Sequence, residues 1–277
     1  MGGWGGSVAQ RFVQEAPIQP LLDQAFPFLL LLSRISGLFL LSPVLANSAV
    51  PRQVRVYLAL GLTAVCFPAV ALGPDAPLAG WAGAELSLFL LAPLMALELL
   101  VGYVLGFVLM LPLAGCQAGG LVIGQQMGLQ LGGVYNPELG DDSGAVGQFL
   151  YLLALVVFLC LGGHHALVRV LIGSFGHVPP GGFTAFGQVI EVVTGLLGTM
   201  IELVVQVSMP VLAVLFLESV AMGFVARTVP QMNILSVGFI TRILIATAVT
   251  AVSLVSVARL TEGSFRAAFD AAAALLL

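Results

Sequence analysis

The sequence predicts an all-α, membrane-associated protein built from helical hairpins, and three observations predict it. Of 277 residues, 60% are hydrophobic and 8% charged, where a soluble domain carries about 25% charged residues. Mean hydropathy is +1.11. The apolar residues come in long blocks between about Leu21 and Leu260. Those blocks are far longer than the ~10-residue alternating segments of a membrane β-barrel and suit the ~20 residues of a spanning helix.

Six blocks follow in order. The first runs from about Ala25 to Ala46 and carries Arg34. The second, Val54 to Leu72, opens at the arginine pair Arg52 and Arg55. The third, Glu85 to Leu113, contains Glu98 and two prolines. The fourth covers Gly147 to Gly162 and continues through His164, His165 and Arg169 to Phe175. The fifth, Gln188 to Ala226, is too long for one upright span and holds Glu202, Pro210 and Glu218. The sixth, Ile234 to Leu260, contains Arg242 and is followed by a weakly amphipathic tail with Arg266 and Asp270. Turn signals such as "SPVLANSAVPR", "LGPDAPLAG", "YNPELGDDSG" and "GHVPPGG" separate them.

Charge patterning gives no simple topology. Placing Arg52 and Arg55 in the cytoplasm puts Glu138, Asp141 and Asp142 on the same side and Arg169 on the other, so the positive-inside rule assigns no orientation. Arg34, Glu98, Glu202, Glu218 and Arg242 lie inside apolar blocks. Each would cost ~2.5–3.5 kcal/mol at a bilayer centre on insertion scales. Such charges need partners or water, which points to helices packed against protein in a polar-lined assembly.

The stretch "GGLVIGQQMGLQLGG", residues 119–133, packs six glycines and three glutamines into fifteen positions. Gly120, Gly124, Gly128 and Gly132 recur every four residues. On a helix such a set drifts by about 40° per step, giving a slowly winding groove without side chains. Each interior glycine costs about 1 kcal/mol relative to alanine, and no strong cap is evident. Two readings fit these residues. One is a small-residue packing seam between helices, as at Gly102 and Gly106. The other is a pliable element lining a passage, with Met127 and Leu129 as an apolar seal and Gln125, Gln126 and Gln130 as uncharged hydrogen-bonding groups.

Other chemistry is excluded or weakly signalled. A net charge of −4, with no basic stripe, argues against a nucleic-acid surface. Lysine does not occur, so the GxxxxGK[ST] phosphate loop is impossible. His164 and His165 are adjacent and point to different helix faces, which is poor metal geometry; a structural or interfacial role fits better. No serine-hydrolase elbow appears, and Glu202 and Glu218 are too far apart for a paired acid and base. Cys66, Cys116 and Cys160 show no CxxC spacing and read as inert buried thiols. No metal, no cofactor and no enzymatic activity are expected. The start "MGGWGGSVAQ" lacks the cationic region of a cleavable signal peptide. In "ARTVPQMNILSVGF", Pro230 interrupts apolar sequence beside Arg227, Gln231 and Asn233. A plain loop accounts for this, and so does a broken helix exposing polar groups.

Taken together, "SRISGLFLLSPVLANSAVPRQVRVYLAL", "AGGLVIGQQMGLQLGGVYNPELG", "FLCLGGHHALVRVLIGSFGHVPPGG" and "GFVARTVPQMNILSVGF" resemble the FliR family of type III secretion export-gate subunits. The resemblance is near full length, and "PQMNI" points to the flagellar branch more than to its virulence counterparts. It implies a core subunit of the flagellar protein export gate, in the bacterial inner membrane at the basal body. FliP-like and FliQ-like subunits would complete the channel, with an FlhB-like component and other export-apparatus proteins nearby and unfolded proteins as cargo. The implied fold is a single FliR-like domain: a FliP-like portion over about 1–187 with a plug loop at 116–140, then a FliQ-like hairpin and tail over about 188–277. The resemblance makes Gly120, Gly124, Gln125, Gln126, Met127, Gly128, Leu129, Gln130 and Gly132 the pore plug. Arg34, Pro51, Arg52, Arg55, His164, His165, Arg227, Pro230, Gln231 and Asn233 become inter-subunit or structural residues. The chain departs from the family pattern at Gly119–Gly120, Gly162–Gly163, Ile240 and Arg242. Its rivals are a secondary transporter with broken helices and a membrane scaffold without a passage.

Overall fold

The computed structural model describes residues 24–42, 51–71, 78, 88–129, 144–178, 186–229, 231 and 233–274. Among them the secondary structure is helical, with no strand. The helices are α1 (Ala25–Leu41), α2 (Arg52–Ala71), α3 (Leu88–Met127), α4 (Ala145–Cys160), α5 (Gly163–His177), α6 (Phe186–Thr228) and α7 (Ile234–Ala274). Four of them contain a segment long and apolar enough to cross a membrane: Arg52–Ala71, Leu91–Met127, Val189–Thr228 and Ser236–Ala274. The bent pair α4–α5 would make a fifth.

Two compact units are built from these helices. The first takes the chain through Phe107 together with Val168–Phe186, so it holds α1, α2, the first half of α3 and most of α5. Its core is Phe26, Leu30, Leu31, Ile35 and Leu38 of α1, all at most 1% exposed. Phe28 meets Phe67 of α2 edge-on, with ring centroids 5.7 Å apart. The end of α2 is closed by Leu78, which is buried and whose amide donates to the Val70 carbonyl at 3.1 Å. Against α3, α1 packs backbone on backbone. A Cβ at Gly102 would strike the Arg34 carbonyl, and one at Gly37 the Leu99 carbonyl. The seam expected at Gly102 and Gly106 is therefore real, and its physical basis is the missing side chain.

The second unit comprises Val108–Leu167 and Gly187–Leu275. Here α4 packs on α7 through Phe158, whose ring lies 5.2 Å from that of Phe265 and 6.2 Å from that of Phe269. The α3 half approaches α6 at Gly115 and Gly119, where added methyls would press on Leu203 and Val207. Between α3 and α7, Cys116 Sγ and the Thr261 hydroxyl are 3.0 Å apart.

Three features differ from the sequence reading. The fourth apolar block is two helices bent by 65°. The bend falls on Gly162, whose φ of 69° suits a residue without Cβ, and on Gly163, where any Cβ would overlap the Phe158 ring. The expected tail is the continuation of α7, held by Phe265, Ala268 and Ala272, all fully buried. Residues 116–127 of the expected plug loop are helical, because α3 runs unbroken to Met127.

Candidate functional site

The C-terminal end of α3 carries most of the candidate plug residues. Gly120 lies in the packing seam: a Cβ there would strike the backbone of Val146 and Gly147, so α3 and α4 touch backbone to backbone. At Gly124 the helices have separated enough that a Cβ would make ordinary contact with Val146 at 3.9 Å. Gly128 ends the helix with φ 79°. Its amide donates to the Gln125 carbonyl at 3.0 Å, and the Leu129 amide donates to the Gly124 carbonyl at 3.2 Å. That pair of bonds is a Schellman cap. The expectation of an uncapped helix is therefore overturned, since the glycine that lowers helix propensity inside the chain satisfies orphan carbonyls at its end.

Side chains divide at this end by polarity. Met127 is 2% exposed. It lines an apolar cleft of about 280 Å³ with Val146 and Phe149 of α4 and Thr247, Thr250 and Leu254 of α7. Gln125 and Gln126 face outward, and Leu129 is 41% exposed. Gln130 and Gly132 lie outside the described residues.

A buried ion pair organises the first unit. Arg34, wholly buried, donates from Nε to Glu98 Oε2 at 2.5 Å. From Nη1 it donates to the Ser174 hydroxyl at 2.9 Å, and from Nη2 to the Val178 carbonyl at 3.2 Å. Its guanidinium carbon sits 3.9 Å from the centroid of Phe175. One side chain thus ties α1 to α3 and to the end of α5. Sequence reasoning flagged Arg34 and Glu98 as charges needing partners. It missed Ser174, Phe175 and Val178, whose only signal was a polar hydroxyl in apolar surroundings.

A second pair joins the α6–α7 hairpin. Glu218, 8% exposed, accepts from Arg242 Nε at 3.4 Å and from the Thr241 hydroxyl at 3.2 Å. Arg242 also donates to the Ser219 hydroxyl at 2.8 Å.

The remaining candidates are scattered through the helices. The Pro51 carbonyl accepts from Val54 and Arg55 and so opens α2, where Arg52 is exposed. His164 and His165 are both exposed beside the α4–α5 bend and, against the expectation of different helix faces, their ring centroids lie 4.1 Å apart at the start of α5. Among the described residues no three of His, Cys, Asp and Glu gather as metal ligands. Arg227 and Gln231 are exposed near the α6–α7 turn. Asn233 caps α7: its carbonyl accepts from Val237 at 3.2 Å and its side-chain oxygen from Ser236 at 3.4 Å. Pro230 lies outside the described residues.

Residues 25–268 match the family model described as bacterial export proteins, family 1. The chain is similar to the flagellar biosynthetic protein FliR of Bacillus subtilis (strain 168). The two are 33% identical over 221 residues, covering 79% of this chain and 82% of that protein. Similarity to FliR of Caulobacter vibrioides is lower, 24% over 250 residues, but spans 89% and 96% of the two chains. The surface presentation of antigens protein SpaR of Shigella flexneri is 33% identical over 153 residues, 55% of this chain and 59% of SpaR.

Proposed function

Since this chain belongs to the bacterial export proteins, family 1, we propose that it is a core subunit of the flagellar type III protein export gate. It assembles with FliP-like and FliQ-like subunits, beside an FlhB-like component, in the bacterial inner membrane at the basal body. Unfolded flagellar proteins pass through the channel that these subunits enclose. Residues 120–132 form its closure, in two parts with different mechanics. The helical part, through Met127, is anchored by the Gly120–Gly147 seam. The part beginning at the Gly128 cap is the displaceable plug.

The observation that carries this reading is the end of α3. An anchored helix there stops at a glycine cap, with its methionine in an apolar cleft and two glutamines facing outward. A closure needs a fixed root and an uncharged surface for any cargo sequence, and the glycines at 128, 132 and 133 give the following backbone conformational freedom. Transport energy comes from partners, because the chain has no phosphate loop.

Two measurements test the reading. Detergent-extracted protein should co-purify with FliP-like and FliQ-like subunits around a central channel; isolation as a lone protein would defeat the assembly. Deleting residues 130–133 should leave co-purification intact and raise ion conductance of membranes carrying the complex. Unchanged conductance with an intact complex would remove the plug and leave the subunit assignment standing.

A further inference from the structure

Helix α6 carries a carboxylate that no cation among the described residues neutralises. Its uncharged runs, 192–201 and 203–217, span ten and fifteen residues. Any membrane-spanning window of about 20 residues in α6 must therefore include Glu202 or Glu218. Glu218 is answered within the hairpin by Arg242 and Thr241. Glu202 is exposed and accepts only from the neutral Gln206 amide, at 2.8 Å; among the described residues no cation pairs with it.

Its surroundings form a helix-docking stripe. At 100° per residue, Glu202, Gln206, Met209, Ala213, Phe216 and Val220 fall within an arc of about 80°. All six are exposed, Met209 to 61% and Phe216 to 68%. A lipid acyl chain suits the apolar members but leaves the carboxylate unsatisfied, and an anionic headgroup would be repelled. A second copy packed stripe to stripe would bring only another Glu202, because the stripe carries no cation.

We propose that Glu202 and Gln206 receive a lysine or arginine side chain from a membrane helix of a different subunit. That helix lies along α6, its cation meeting the carboxylate and its apolar residues covering Met209 and Phe216. The pairing would fix the axial register of the two helices, as a lone polar position does in an otherwise apolar interface. The inference rests on the chain being one subunit of a larger membrane complex, and not on the plug.

The test keeps the complete chain in its native membrane. A photo-activatable residue at Val205 or Met209, with Glu202 intact, should cross-link to a membrane helix of another subunit. Glu202→Lys should lower that cross-link and the yield of assembled complex on the order of tenfold or more, and near-isosteric Glu202→Gln should lower both by less. Exchanging the cross-linked helix's basic residue for glutamate should restore the Glu202→Lys variant. Cross-links to lipid alone or to a second copy would overturn the proposal. So would a cross-link unaffected by both Glu202 variants. Failure to co-purify with FliP-like and FliQ-like subunits, alongside a charge-dependent cross-link to some other membrane subunit, would sink the gate assignment and leave this pairing intact.

Discussion

A buried arginine survives in a protein interior only if its donors and its charge are all answered. Arg34 meets a carboxylate, a hydroxyl, a carbonyl and an aromatic face, each contributed from a position at least 64 residues away in sequence. Taking away one partner is worse than taking away both, because the remaining charge stays buried. Glu98→Ala is expected to destabilise the protein by roughly 3–5 kcal/mol, whereas the Arg34→Met, Glu98→Leu double variant should lie within about 1 kcal/mol of the parent. Thermal unfolding of the detergent-purified protein, followed by helical circular dichroism, distinguishes the two. Equal midpoints for Glu98→Ala and the parent would show that water or lipid headgroups reach the guanidinium. Arg34, Glu98, Glu202, Glu218 and Arg242 were legible as a problem in the sequence, because charge in apolar runs is costly. Which charge answers which was not, since Arg34 and Glu98 are 64 residues apart and no local period links them.

At the level of elements, the glycine ladder separates into positions that do different work. Gly120 lies against the Gly147 backbone, Gly124 has room for a methyl, and Gly128 holds a left-handed φ. Each therefore answers alanine differently. Gly120→Ala forces α3 and α4 apart and should cost roughly 1–3 kcal/mol. Gly124→Ala removes the glycine penalty inside a helix and should be neutral or stabilising by up to about 1 kcal/mol. Gly128→Ala places a Cβ in the left-handed region, at roughly 1–2 kcal/mol. Chemical or thermal unfolding of the three single variants checks the order, and a Gly124→Ala variant less stable than Gly120→Ala would contradict the seam. The four-residue spacing was visible in the sequence, and it suggested both a seam and a pliable loop. Spacing cannot say where a helix stops. That is decided by the cap at Gly128, which depends on backbone conformation and not on side-chain pattern. The same holds for the bend at Gly162, hidden in an apolar run that continues on both sides.

For the whole molecule, the block boundaries were the most legible part: α2, α6 and the start of α7 lie within two residues of the expected limits. What hydropathy alone could not supply is why some helices exceed one membrane thickness. Helices α3, α6 and α7 run 40, 43 and 41 residues. At 1.5 Å per residue that is about 60–65 Å of helix, against a hydrocarbon core of about 30 Å. Tilts reach about 40°, so a straight helix of this length still rises about 46–50 Å, and lipid cannot cover it end to end. The exposed apolar positions of α6, which extend from Ile190 to Val225, must then be covered partly by lipid and partly by other protein.

Single cysteines placed along that face test this division. Cys66 and Cys116 are buried as expected, but Cys160, read from the sequence as buried, is exposed, so Cys160→Ser alone supplies a background silent to a membrane-impermeant maleimide. In membranes containing the isolated chain, protection should be confined to one run of roughly 20 residues, and labelling should appear beyond it. With the full set of export subunits co-expressed, protection should extend along most of α6. Uniform protection of Ile190 through Val225 in the isolated chain would mean that lipid or the chain itself covers the whole face, and the helix would need no protein neighbours to account for its length.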